Sequence, residues 1–263
     1  MTTLSTKQDF KYPRRRLVRW LMSRSARLAL SGLTSFNIEG KENLPEKGPL
    51  IVVANHFHFV DVVTIVASMP WPLDFLGGFN FVDAPPLVSW LPRMWGYYPV
   101  RRGQASMLAM RAAKAVLAQK GVLMVFPEGG SWAKVLVYAR PGVPYLAAQT
   151  GARILPIGIC GNTTIFPALK KRRRTTVTVR IGQSIGPYQV SGRGRKRRQQ
   201  LDAIGHDIMR RIAALIPPHK RGVYADDPAL RAEAEQVSAF PWEEVSEVEA
   251  GRHYPGRDKG ALD

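Results

Sequence analysis

The stretch "IVVANHFHFVDVV", residues 51–63, starts as an apolar strand and then places Asn55, His56, His58 and Asp61 before the apolar run resumes. Ionisable groups at the mouth of a buried strand must find partners or reach water. A histidine beside an aspartate is a candidate acid–base pair. The carboxylate holds the imidazole in one tautomer and stabilises the imidazolium formed when the ring takes a proton. On a regular helix, residues three apart are neighbours, whereas residues five apart point away from each other. Helical geometry alone therefore pairs His58 with Asp61. His56 meets Asp61 only if the backbone turns between them, with the histidine in a strand-to-helix loop and the aspartate in the first helical turn. The same residues also suit a satisfied structural turn without chemistry.

A second carboxylate follows another apolar strand in "VLMVFPEGGSW", where Glu128 is succeeded by Gly129 and Gly130. A glycine pair lets a ligand approach the backbone, whose N–H groups can hold anionic oxygens. A plain tight turn uses the same residues. The third candidate is "GYYPVRRG", in which Arg101 and Arg102 suit two-pronged contacts to phosphate. Adjacent arginines are also an ordinary surface feature. His206, His219 and His253 are scattered and Cys160 stands alone, so no metal site is expected. No Gly-x-Ser-x-Gly elbow occurs, which argues against a serine acyl-enzyme.

Strand-like runs that would carry these groups are "LIVVAN", "GVLMVFPEG", "ARILPIGICG" and "TTVTVRIGQSI". Helical stretches lie between them: Asp61 to Ser68, "QASMLAMRAAKAVLAQKG" and "GVPYLAAQTG". This alternation predicts an α/β fold, a mainly parallel sheet flanked by helices. Open sheets of that kind keep their binding crevice at the carboxyl ends of the strands. The expected organisation is an arm over 1–37, a catalytic domain over 38–225 and a loosely ordered, partly acidic tail over 226–263.

The net charge of +18 over 263 residues favours an anionic partner. The arm, "YPRRRLVRWLMSRSARLALSGL", spaces Leu17, Trp20, Leu21 and Leu28 near the helical period among Arg14, Arg15, Arg19, Arg24 and Arg27. A basic amphipathic helix of that kind can lie in a bilayer interface. The other reading is a helix packed on the domain with a solvated arginine face. Later basic runs, "KKRRR" at 170–174 and "GRGRKRR" at 192–198, read as loops. They lack the interleaved aromatics that stack on single-stranded bases, so nucleic acid is not expected. No run approaches the roughly 18 apolar residues of a membrane span, and a single cysteine fits a reducing compartment.

In order along the chain, four motifs resemble those of the glycerolipid acyltransferases, the lysophosphatidate acyltransferase family. "NHFHFVD" is similar to their His-x4-Asp box, "GYYPVRR" to their glycine-to-arginine box, "FPEGG" to their Phe-Pro-Glu-Gly box, and "ILPIGI" to their apolar proline-containing strand. Together they cover about residues 38 to 185. The resemblance implies His56 as general base, Asp61 as its orienting partner, and Arg102 as a phosphate ligand with Arg101 beside it. It places Glu128, Gly129 and Gly130 in the acceptor site. It implies acyl transfer from acyl-CoA or acyl carrier protein to a lysophospholipid such as lysophosphatidate, with no cofactor, at the cytoplasmic face of an anionic membrane. One departure stands out: the family's third box commonly continues Thr-Arg-Ser, and here Gly130, Ser131 and Trp132 follow. Arg101 or Lys134 could supply the missing charge. A non-phospholipid acceptor, or a basic membrane-binding protein without catalysis, is the alternative.

Overall fold

The computed structural model describes residues 10–77, 90–99, 107–239 and 241. After helix α1 (Arg16–Leu33) come strands β1 (Thr34–Glu39) and β2 (Leu50–Ala54), then α2 (Val60–Ser68) and β3 (Asp74–Gly77). Next are α3 (Leu91–Trp95), β4 (Tyr98–Pro99), α4 (Met107–Ala118), β5 (Val122–Val125), α5 (Gly142–Thr150) and β6 (Arg153–Cys160). The chain continues through α6 (Ile165–Lys170), β7 (Thr175–Ile181), α7 (Gly194–Ala214) and α8 (Pro228–Gln236).

The strands form one sheet in the order β1-β7-β6-β2-β5-β3-β4. Neighbours run parallel except β6 and β7, which pair antiparallel. The fold is the predicted α/β class. All five residues of β2 are buried, as expected of a central parallel strand covered on both faces. Its side chains alternate between two cores. Ile51 and Val53 pack with Ile204, Ile208 and Ile212 of α7 and Leu146 of α5. Leu50, Val52 and Ala54 face the other way, toward Ile65 and Val66 of α2 and Trp95 of α3. A smaller cluster joins Leu30 of α1, Val60 and Ala67 of α2, Ile165 of α6 and Val177 of β7.

Three sequence expectations need correction. The N-terminal arm is not an appendage, because α1 feeds β1 directly and β1 is a full partner of β7. The run at 192–198 is not a loop throughout: from Gly194 it forms the first turn of α7. Within the stretch read as a loose tail, Pro228–Gln236 is helical, capped by Asp227 accepting from the Ala229 N–H at 2.8 Å.

Candidate active site

Strands β2, β5 and β6 lie side by side and parallel, so their carboxyl ends open on one edge of the sheet. Asn55 extends β2 by one residue in an unusual way. Its side chain accepts from the Ile159 N–H at 2.7 Å and donates to the Ile159 carbonyl at 3.0 Å, copying a ladder pair with β6. The first polar residue of "NHFHFVD" is thus structural.

Beyond Asn55 the chain turns sharply around Asp61. One oxygen, Oδ2, accepts from the backbone N–H groups of Phe57 and His58, both at 2.7 Å. The same oxygen lies 3.1 Å from His56 Nδ1. The carboxylate sits in the first turn of α2, where the helix dipole favours negative charge. Two residues explain why the turn closes on His56 rather than His58: the N–H groups of 57 and 58 converge on Asp61 and swing the chain back over it. His58 lies elsewhere, its ring 4.5 Å from that of Phe59 and 5.8 Å from that of Phe166. His56 stacks on Phe126, the last residue before the Pro-Glu-Gly turn, at 4.0 Å between ring centres.

The other Asp61 oxygen accepts from Asn162 Nδ2 at 2.7 Å. Asn162 is buried and also meets Thr64 Oγ1 at 3.0 Å. It is the site residue that sequence reasoning misses. The signal that marks it is a polar residue directly after the β6 strand, behind a glycine. Gly161 has φ +92 and its added Cβ would stand 2.0 Å from the Thr176 carbonyl, so only glycine lets the chain turn there.

Glu128 is buried to 1 % exposure, yet both its oxygens serve backbone groups. Oε1 accepts from the His56 N–H at 2.8 Å, and Oε2 from the Val137 N–H at 3.3 Å. Burial pushes its carboxyl up to about 8, against the lowering effect of those two N–H groups. In this place Glu128 acts as a brace between the His56 loop and residue 137. The Gly129 N–H donates to the Phe126 carbonyl at 3.1 Å, so it closes the turn, and Gly130 is buried beside it. Lys134 reaches the loop from the same segment, donating to the Phe57 carbonyl at 3.1 Å.

Arg101 and Arg102 lie outside the described residues, but Gly96 at the head of their motif is well placed. Its φ is +74, and its carbonyl accepts from Arg19 Nη2 at 3.1 Å. Arg19 is buried in the domain, not in a solvated face. Its Nε donates to the Trp95 carbonyl at 3.0 Å, and its Nη2 meets buried Asp74 Oδ1 at 2.5 Å. Arg14 also reaches Asp74, at 3.2 Å.

One comparison covers the span that holds these motifs. A family model described as Acyltransferase matches residues 35–160, the span from β1 to the end of β6. A chloroplastic 1-acyl-sn-glycerol-3-phosphate acyltransferase of Arabidopsis thaliana is 27 % identical over 59 % of this chain and 44 % of its own. A 1-acyl-sn-glycerol-3-phosphate acyltransferase of Chlamydomonas reinhardtii is 26 % identical over 57 % of this chain and 46 % of its own. The chain therefore spans less than half the length of these curated relatives. The crystal structure of the 1-acyl-sn-glycerophosphate acyltransferase of Thermotoga maritima superposes with a TM-score of 0.53 at 25 % identity. It covers 73 % of this chain and 79 % of that one. With its His-x4-Asp, Phe-Pro-Glu-Gly and proline-strand motifs gathered at the ends of three adjacent strands, the chain is similar to the glycerolipid acyltransferases in sequence and in fold.

Proposed function

We propose that this protein moves a fatty acyl group from an acyl thioester, acyl-CoA or acyl carrier protein, to the hydroxyl of a lysophospholipid such as lysophosphatidate. The observation that carries the reading is the 3.1 Å contact between His56 Nδ1 and Asp61 Oδ2, with Asp61 itself fixed by three further N–H donors. A carboxylate only accepts, so Nδ1 carries the ring proton and Nε2 keeps the lone pair. His56 then takes the acceptor hydroxyl's proton through Nε2 while the alkoxide oxygen attacks the thioester carbonyl. The tetrahedral oxyanion collapses, the carbon–sulfur bond breaks, and the imidazolium returns its proton to the departing thiolate. Asp61 stabilises the imidazolium meanwhile. Transfer is direct, and a stoichiometric acyl-protein trapped in turnover would sink that step.

The acceptor's phosphate is assigned to Arg102 and Arg101, as the family resemblance implies, with Lys134 adding charge beside the His56 loop. Glu128 supports the site through the His56 backbone. A peripheral position on an anionic membrane, on its cytoplasmic face, fits the +18 charge. Among the described residues, no helix is long and apolar enough to cross a membrane.

A second reading, a non-phospholipid acceptor, is favoured by one feature. Trp132 stands in the stretch where the family commonly has Thr-Arg-Ser, and its indole donates to the Val237 carbonyl at 3.0 Å. Incubating purified protein with labelled acyl-CoA or acyl carrier protein and a panel of lysolipids, read by mass, separates the readings. Product with lysophosphatidate supports the first. Product only with an acceptor lacking phosphate moves the reading to the second, and transfer to no acceptor overturns both.

A further inference from the structure

Beyond the Pro-Glu-Gly turn, the chain at residues 138–144 meets the middle of α7 and the turn Gly222–Tyr224 around a cavity of about 210 Å³. One ordered water needs only about 10–15 Å³, so the space admits a small molecule. Three aromatic side chains line it: Tyr138, His206 and Tyr224. The Tyr138 ring centre stands 5.9 Å from that of His206 and 6.3 Å from that of Tyr224, with planes inclined by 87° and 73°. His206 and Tyr224 are 5.9 Å apart at 62°. Rings set so steeply wall a corner rather than form a stack. Centres about 6 Å apart on such walls share a point roughly 4 Å from each, inside the ~6 Å reach of a cation–π contact.

The charge around this corner runs against the +18 of the chain. Asp202 lines the cavity one helical turn before His206, and among the described residues it makes no ion pair. The Tyr138 hydroxyl donates to Glu235 Oε1, which brings a second carboxylate to the rim. Two neighbouring cations are already answered: Arg211 by Asp207 at 3.4 Å and Arg221 by Asp226 at 2.9 Å. Arg210 is near enough to act on Tyr224, one like charge against two carboxylates. Gly205 completes the lining. It sits inside α7, where glycine is a poor helix former. A Cβ there would meet Ala139 Cβ and Pro144 Cγ at 3.5 Å, an ordinary contact. Packing therefore does not demand a glycine at 205, and its bare backbone keeps the cavity open.

We propose that the corner of Tyr138, His206 and Tyr224, with Asp202 at its side, binds a small organic cation carrying an alkylated ammonium group. Ring faces attract such a cation through their quadrupole and ask for no hydrogen bond, which a fully alkylated nitrogen cannot give. An anion would meet the unpaired Asp202 carboxylate and be repelled. A bare metal ion would need more donors, and the described residues hold no group of three or more His, Cys, Asp or Glu side chains that could bind one. The site goes beyond acyl transfer, since none of the residues lining it is among those that hold His56 and Asp61. It does share a segment with them: Tyr138 follows Val137, whose N–H Glu128 accepts at 3.3 Å. An alkylated ammonium group comes either on a lipid headgroup or on a free small molecule.

The test is a proton NMR titration of tetramethylammonium chloride, and then of choline, with the full chain at constant ionic strength. Methyl groups held over ring faces are shielded, so their resonance should move upfield and saturate. Choline should bind at least about tenfold more tightly than the uncharged alcohol in which carbon replaces its nitrogen, because only the cation gains from the rings and from Asp202. Tyr138→Leu keeps an apolar wall and removes one ring face, while Asp202→Asn keeps the shape and removes the charge. Both positions are exposed, so the melting profile should stay unchanged. Each variant should weaken choline binding by about three- to tenfold, the scale of one such contact. Glycerophosphocholine binding more tightly than choline assigns the site to a lipid headgroup, and the reverse order assigns it to a free cation; either order supports the proposal. It is overturned if wild type shows no saturable shift, if the uncharged alcohol binds as well as choline, or if either variant binds choline like wild type. The readout is binding alone, so its failure leaves the proposed acyl transfer standing, and failure of transfer leaves the site.

Discussion

Asp61 receives the His56 ring nitrogen on the same oxygen that accepts two backbone N–H groups, so the turn that brings the pair together is held by Asp61 itself. Removing the ring leaves those backbone bonds intact. His56→Ala should therefore lower kcat by about a hundred- to ten-thousand-fold with little change in Tm, the usual scale for a lost general base. His58 contributes its ring to Phe59 and Phe166 and gives the Asp61 carboxylate its backbone N–H. His58→Ala should cost far less activity. Steady-state rates that rank the two variants the other way would move the base to His58.

Asn162 tests whether holding Asp61 still matters to the chemistry. Its Nδ2 is the donor to Asp61 Oδ1, at 2.7 Å in a buried setting. Asn162→Ala leaves that oxygen without its partner, which costs about 1–3 kcal/mol of stability. Asn162→Asp should be worse, since it sets a second carboxylate against the first. A positioning role also predicts a lower kcat at unchanged KM for both substrates, with the rate profile against pH shifted because the imidazolium loses part of its support. Variants that lose only Tm and keep both the rate and the pH profile would make Asn162 purely structural.

The sequence carries the parts of this fold that physics writes locally. "LIVVA" reads as a buried parallel strand because both its faces are apolar, and α2, α4 and α5 are evident from their spacing. His56, Asp61 and Glu128 stand out because polar groups at strand ends break an apolar pattern. What escapes is non-local. Nothing near Arg19 shows that its guanidinium enters the domain, because its partner Asp74 is 55 residues away on a four-residue strand. Asn162 is 101 residues from Asp61, and only the sheet order brings β6 beside β2. The amphipathic pattern of α1 is legible, but which stripe faces outward is decided by that same distant aspartate.

The Arg19–Asp74 pair makes α1 a part of the domain, and that changes how the helix should be tested. Asp74 is fully buried and its Oδ1 is reached by two guanidinium groups. Arg19→Ala would strip the closer of the two from a buried carboxylate, which costs about 3–5 kcal/mol. Deleting the helix outright would do the same and expose Leu30's neighbours as well, so loss of function in such a truncation would say little about membranes. Replacing both partners together, Arg19→Met with Asp74→Leu, removes the charges without leaving one stranded. Thermal melting should show the double variant recovering at least half of the stability lost by Arg19→Ala. A double variant no more stable than the single one would mean that the hydrogen bonds to the Trp95 and Gly96 carbonyls, not the ion pair, hold the helix.

Glu128 gives the protein a pH dependence of definite sign. Burial raises its carboxyl from 4.5 to about 8, so between those values the folded protein holds a proton that the unfolded chain has released. Stability must then fall as pH rises through that window, by at most about 1.4 kcal/mol per pH unit for one proton. Below 4.5 both states are protonated, and above about 8 neither is, so the slope vanishes on either side. Glu128→Gln cannot ionise, and its amide oxygen can still accept the His56 N–H that now lies 2.8 Å from Oε1. At low pH the variant should be somewhat less stable, because an amide nitrogen facing the Val137 N–H would set donor against donor. As pH rises the wild type should lose its advantage and fall below the variant. Chemical denaturation at a series of pH values reads this as two curves that cross. Parallel curves from 4.5 to 8 would mean that Glu128 is ionised in the folded protein, braced as a carboxylate by the two backbone N–H groups.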